Sequence, residues 1–471
     1  MSKIERSYLC VHGHFSQPPR AHPLDESIAA EPDAAPFQHW LDRITQTCYR
    51  PNAERGNFRF ISYSFSEAVS KWLEASAPET YMAILRGDRS DEDRQAESPA
   101  GNSLATAYNH IILPLARKRD KYTQIYWGIA AFEHRYGRKP LGFWLPEMAV
   151  DTETLKLLAE AGIRYTLLAQ KQFADLPEGR SGGPFRVELD SDHTMAVFAR
   201  DDELSSQISF NIHNLGGAGH WSQAALAPMR KSNGGLVLLA TSGETFGHHF
   251  AGEEEFLYWL MHYEAPRVGF QTVTLDRYFL SHPPSQTVHI EELSSWGEHR
   301  GLSHWATGYA DQHLDTTWKS ALRRALDNVA SEIDRVYEEL LLPYGINPWK
   351  LRNQYAAVLL GEHSADDFMS EQIPDLKEEH RRPLALLFKA QELAQRMYNS
   401  YTFTDNRLDS RQPRYAVGCA AAALSLAQQA TGRELAERFP LDMAVVTSAS
   451  TPITGSEILR QALKEFGIRL D

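Results

Sequence analysis

Cysteine is scarce in this chain of 471 residues: there are three, Cys10, Cys48 and Cys419, and none stands at a metal-binding spacing from another. Three cannot all pair, so no disulfide framework is expected, and the count fits a reducing compartment. A basic excess is lacking too. With 48 Lys and Arg against 61 Asp and Glu, the formal net charge is −13, which argues against a phosphate-tracking surface and so against nucleic acid as a partner. No run of about 18 apolar residues occurs, so no membrane partner is expected. The opening MSKIERSYLCV passes straight into a strand-like segment without the apolar stretch of a signal peptide, and a cytoplasmic protein is the expectation. Internal repeats and low-complexity tracts are missing, and the acidic run DRSDEDRQAE over residues 88–97 reads as solvated loop. What is present, 42% hydrophobic and 11% aromatic residues, suffices for more than one core.

Short apolar runs at residues 8–11, 58–63, 141–144, 165–168, 195–198, 236–240 and 269–273 alternate with helical patterns, which predicts a parallel βα series. Asp151 is placed to cap a helix from Thr152, and Gly162 follows it before the next strand, giving one βαβ unit over residues 141–168. Beyond residue 290 the period changes. Trp318, Leu322, Leu326, Val329, Ile333, Val336 and Leu340 define one long amphipathic helix, and residues 384–397, 415–426 and 458–466 carry similar faces. The expected division is an α/β barrel domain over residues 1–290, a linker lining the cleft over 291–315, and an α-helical domain over 316–471.

Three segments end an apolar run on reactive side chains, the layout in which barrel strands deliver catalytic groups to one rim. VHGHFSQPPR presents His12 and His14 on one strand face, able to bond sugar hydroxyls or hold a metal, followed by Gln17 in a stiff polar turn. GFWLPEMAVD sets Glu147 beyond Phe143, Trp144 and Leu145, where an unpaired buried carboxylate would be costly. LVLLATSGETFGHHF ends in Ser242, Glu244, His248 and His249, with Gly243 and Gly247 relaxing the backbone. Trp296, His299, Trp305 and Trp318 are further candidates to cover the cleft.

Together these segments resemble glycoside hydrolase family 57, in particular members with a long helical C-terminal region, and the likeness runs over nearly the whole chain. HGHFSQPPR is similar to the family's first motif, YNHIILPLA with Asn109 and His110 to part of its second, GFWLPEMAVD to its third and ATSGETFGHH to its fourth. The resemblance implies an incomplete (β/α)7 barrel followed by helices, a retaining mechanism on α-glucans or other oligosaccharides, and no metal or other cofactor. It assigns the nucleophile to Glu147. The acid/base position, normally Asp in an Asp-Gly-Glu run, falls on Ser242, whose hydroxyl is far too weak an acid for the task. His12, His14, Gln17, Asn109, His110, Trp144, His248, Trp296 and His299 are the implied substrate contacts. Three readings stay open: a retaining α-glucan hydrolase or 4-α-glucanotransferase in which Glu244 or His248 supplies the proton, a glycan-binding pseudoenzyme, and a metal-dependent deacetylase- or mannosidase-like hydrolase built on His12, His14 and His248. The oligomeric state is not written in these motifs.

Overall fold

A computed structural model describes residues 6–177, 182–230, 234–284, 286–297, 301–311 and 314–470. The chain forms two compact units, the first from residues 1–17, 30–108 and 132–297, the second from residues 18–29, 109–131 and 298–471.

The first unit is an incomplete (β/α)7 barrel. Its parallel strands are β1 (Ser7–Phe15), β2 (Ser62–Phe65), β3 (Ala105–Thr106), β4 (Gly142–Trp144), β5 (Tyr165–Ala169), β7 (Thr194–Arg200) and β8 (Gly235–Ser242). They run in the order β8-β1-β2 and β3-β4-β5-β7. The two arcs join where Tyr63 of β2 bonds through its backbone to Asn102 and Leu104 just ahead of β3. Two accessory strands flank them: β6 (Gly182–Glu188) lies antiparallel on β7, and β9 (Phe270–Thr272) pairs with the first residues of β1. Between β7 and β8 no strand ladder forms among the described residues. The carbonyls of β8 are satisfied instead by the Asp201 N–H, 2.7 Å from Leu238 O, and by the Arg200 guanidinium, 3.0 Å from Ala240 O. A sheet edge that would otherwise expose unpaired backbone is thereby covered.

The barrel strands read as continuous apolar runs because helices cover their outer face while packed side chains fill the inner one. The expected βαβ unit is present: the Asp151 carboxylate accepts from Thr154 N at 2.8 Å, capping the helix Thr152–Glu160, and β4 and β5 pair in parallel. One expected strand is shifted. Phe58 lies in a single helical turn, Asn57–Arg59, and the strand begins only at Ser62. Asn57 holds that turn by donating to Asn52 Oδ1 and Glu254 O, so local side-chain bonding overrides the aromatic β preference.

The second unit is helical, with long helices Trp318–Leu341, Glu378–Arg396, Arg411–Thr431 and Gly455–Glu465. Ala420, Ala421, Ala422 and Ala423 are fully buried, and such small side chains let helices approach closely. Trp305 and Trp318, expected as cleft cover, are core residues of this unit. Their indole N–H groups donate to Thr404 Oγ1 at 3.1 Å and Asn406 O at 3.3 Å. Among the described residues no helix is long and apolar enough to cross a membrane.

Candidate active site

At the carboxyl rim of the first unit, β1 places His12 and His14 on the same face, two residues apart. Ser64 of β2 stands between them, its Oγ 3.2 Å from His12 Nε2 and 2.8 Å from His14 Nδ1. One hydroxyl proton serves one imidazole, so the other ring must donate to Ser64. Both rings stack on Trp144 of β4, with centroids 4.9 and 4.7 Å apart and interplanar angles of 10° and 16°. Burial pushes His12 down to about 3, so it is neutral at physiological pH. His12 Nδ1 and Trp144 Nε1 are both buried with no protein partner. Two orphaned polar atoms on neighbouring stacked rings each need a partner that the protein itself does not supply.

Glu147 follows β4 in a backbone conformation rare for a residue with a side chain: φ is 57° at Glu147 and 49° at Met148. Two successive left-handed residues cost of order 1–3 kcal/mol each and persist only where surroundings hold them. Here Trp296 grips Glu147 twice, donating its backbone N–H to Glu147 O at 3.2 Å and its indole N–H to Glu147 Oε2 at 2.8 Å. Gln172 Nε2 adds a bond to Met148 O at 2.8 Å. Trp296 also meets Trp144 edge-on at 5.3 Å and lies beneath the Arg200 guanidinium at 5.1 Å. Burial raises the Glu147 carboxyl above its ordinary value, partly countered by the Trp296 N–H.

On the other side of β1, Ser242 is in register with His14. Its hydroxyl donates to Glu244 Oε2 at 3.0 Å, and the Tyr49 hydroxyl donates to Glu244 Oε1 at 2.8 Å. Gln17 completes the set. Glu244 is 1% exposed, and burial pushes its carboxyl up to about 7 against the pull of these donors. Gly243 permits this turn by close approach: a Cβ there would lie 2.4 Å from the Phe15 ring, itself wedged against Tyr49, Phe58 and Phe65. A Gly243→Ala variant should therefore lose about 1–3 kcal/mol of stability through overpacking, read as a lower urea midpoint at unchanged m.

Not every expected residue belongs to this cluster. His248 donates its backbone N–H to Glu244 O at 3.1 Å, while its ring faces Trp40 at 6.1 Å. Among the described residues no group of three or more His, Cys, Asp or Glu is gathered for a metal, so His12, His14 and His248 are not assembled as a ligand trio. Asn109 and His110 lie in the second unit. There Asn399 Nδ2 donates to Asn109 O at 2.6 Å, and His110 Nδ1 sits 2.8 Å from Ser400 Oγ with its ring stacked on Tyr401. Burial lowers His110 to about 4. Residues 399–401 of the motif NSYTFTDN thus meet residues 109–111. His299 lies outside the described residues. Sequence reading missed Ser64 and Tyr49. For Ser64 a signal existed, since Ser62, Ser64 and Ser66 alternate with aromatic residues and so share one face.

The strand ends of this α/β barrel thus carry two buried carboxyl groups, Glu244 and the indole-clamped Glu147, on either side of stacked imidazoles. The model of glycosyl hydrolase family 57 matches residues 36–291, and that of a domain of unknown function, DUF3536, matches residues 315–470. The chain belongs to glycosyl hydrolase family 57. It is similar to α-amylase 1 of Dictyoglomus thermophilum, with 27% identity over 183 residues, 37% of this chain and 25% of that protein. It is also similar to an α-amylase of Pyrococcus horikoshii, with 25% identity over 184 residues, 38% of this chain and 27% of that protein. The match thus spans about a quarter of the length of these relatives. Among solved structures, an exo-type maltose-forming amylase from Pyrococcus sp. ST04 superposes with a TM-score of 0.76 at 17% identity, covering 93% of this chain and 82% of that one. A branching enzyme from Pyrococcus horikoshii gives 0.60 at 16%, covering 98% and 95%. At such identities the likeness is one of fold.

Proposed function

We propose that this chain is a retaining α-glucan hydrolase or glucanotransferase in which Glu147 is the nucleophile and Glu244 supplies the proton that Ser242 cannot. The observation that carries this reading is the buried Glu244 carboxyl, held at about 7 and hydrogen-bonded to the hydroxyl standing at the acid/base position. When Glu244 is protonated, its O–H donates to Ser242 Oγ, and the Ser242 O–H is freed to face the glycosidic oxygen. As Glu147 attacks the anomeric carbon and the glycosidic bond breaks, the departing oxygen takes the Ser242 proton and Ser242 takes that of Glu244. The product is a glycosyl ester on Glu147 and a carboxylate at Glu244. In the second half the relay reverses: water gives its proton through Ser242 to Glu244 and releases the sugar. His12, His14, Gln17 and Trp144 are the proposed sugar contacts. The glucan class comes from relatives named α-amylase and branching enzyme.

A relay through a hydroxyl is less effective than a carboxylic acid at the same point. α-Glucosyl fluoride, which needs little proton help, should therefore react and label Glu147, while maltooligosaccharides turn over slowly. Ser242→Asp should raise maltooligosaccharide turnover by about 10²-fold or more. No gain on that substitution together with no label on Glu147 would sink the proposal. A second reading, a glycan-binding protein without turnover, is favoured by the saturation of Glu244 with three donors. Calorimetric binding of maltooligosaccharide without product would distinguish it.

A further inference from the structure

The opposite end of the same barrel carries a second concavity. Arg59 precedes β2 and Asn102 precedes β3, so the pocket they line lies at the amino ends of strands whose carboxyl ends face the site above. Its volume is about 400 Å3, and Arg59, Arg86, Arg89, Arg94 and Arg277 all line it. In a chain of net charge −13, five guanidinium groups around one hollow are a local reversal of sign.

Two of these groups are pre-set. Arg277 donates to Asn102 Oδ1 at 2.8 Å and pairs with Asp93, while Asn102 is itself anchored to the carbonyls of Phe58 and Gly87 at 3.1 and 2.8 Å. Arg89 is held by the carbonyls of Asp93 and Ser98 at 3.1 and 2.9 Å, and its Nε is buried with no partner. The side chains of Arg59, Arg86 and Arg94 have no hydrogen bond or ion pair among the described residues. Asp91 and Glu92 also line the hollow, leaving arginine in excess. Arg335, an exposed arginine elsewhere, is by contrast paired with both Glu332 and Glu339.

The geometry points to a binding site for a small phosphate ester, separate from the proposed catalytic rim. Planar guanidinium forks match the oxygens of a phosphoryl group in pairs, which isolated ammonium groups do not. The hollow exceeds a lone ion and falls within the size range of small-molecule pockets. A nucleic-acid chain is disfavoured by the overall negative charge. The ligand is thus a phosphorylated sugar or a nucleotide, bound by its phosphoryl end.

The test is calorimetric titration of the full chain with glucose 6-phosphate, ADP, inorganic phosphate and sulfate, in the unsubstituted protein and in an Arg59→Gln/Arg86→Gln variant. Both of those side chains are exposed, so circular dichroism and unliganded melting should be unchanged. One of the two esters should bind more tightly than phosphate or sulfate, and the paired substitution should weaken it about tenfold or more. Binding of the sugar ester alone, or of the nucleotide alone, identifies the source of the phosphoryl group. Binding by neither ester, affinity no better than that of sulfate, or affinity unchanged in the variant overturns the assignment.

Discussion

Glu244→Gln should cut turnover of maltooligosaccharides by about 10²–10⁴-fold while sparing the first step with α-glucosyl fluoride, labelling of Glu147, because the amide keeps the shape of the carboxyl and has no acidic proton to give. The same variant should change how stability depends on pH. The Glu244 carboxyl rises from 4.5 to about 7 on burial, so the folded state binds its proton more tightly than the unfolded chain. The stabilisation is complete below pH 4.5 and is lost as pH climbs through about 7. Over that window the loss amounts to roughly 3 kcal/mol from this one group. In the Gln variant this slope should vanish, leaving the protein relatively more stable at pH 8 than at pH 5 when each is compared with the parent. Asp276, raised from 3.8 to about 6 by burial, has the same sign, as do the raised carboxyls of Glu147 and Asp334, and together they should supply a residual slope. Urea unfolding at several pH values checks the stability prediction. Parallel slopes in parent and variant would show that Glu244 titrates normally.

Much of the barrel was legible because buried parallel strands leave continuous apolar runs, and β1, β4, β5, β7 and β8 all fall on such runs. The strands that escaped have physical reasons. β3 is two residues long, too short for any period, and β6 is an antiparallel addition reached through the glycines at its start. The four long helices of the second unit, Trp318–Leu341, Glu378–Arg396, Arg411–Thr431 and Gly455–Glu465, were plain because each buries an apolar stripe, as Leu322, Leu326, Val329 and Ile333 do. The cluster around Glu244 was half visible. Ser242 and Glu244 are two residues apart in sequence, whereas Tyr49 reaches Glu244 from 195 positions away, a contact only the folded barrel creates. Nor does any propensity indicate that Glu147 and Met148 would both take positive φ; tertiary bonds from Trp296 and Gln172 impose it.

The second large effect is expected at the buried pair of Asp88 and Arg138. The guanidinium forks onto the carboxylate with two contacts of 2.8 Å, and the same carboxylate accepts the backbone N–H groups of Asn102 and Ser103 at 2.9 and 2.8 Å. Gly101 makes room for the arginine, since a Cβ there would stand 2.0 Å from Arg138 Nη2. The arrangement ties the end of the helix Pro78–Asp88 to the segment entering β3. Asp88→Ala should destabilise the protein by about 3–5 kcal/mol, because a buried guanidinium that has lost its bidentate partner and the orphaned N–H groups of Asn102 and Ser103 remain. Arg138 should then draw Asp276, 3.6 Å away, toward a lower pKa. Removing both charges in Asp88→Ala/Arg138→Met should cost less than removing the carboxylate alone. Denaturant midpoints for the two variants measure the difference, and a double variant worse than the single one would show that packing, not charge, dominates.

The backbone passes from one compact unit to the other at 17/18, 29/30, 108/109, 131/132 and 297/298. No single scission therefore separates the two units. A recombinant fragment cut to the DUF3536 match, residues 315–470, would omit residues 109–131 and leave Ser400 and Tyr401 without the imidazole of His110 that they surround. What sequence comparison draws as one contiguous module is, in three dimensions, assembled from three separate stretches of chain, and its boundaries for expression have to be taken from space rather than from the linear order.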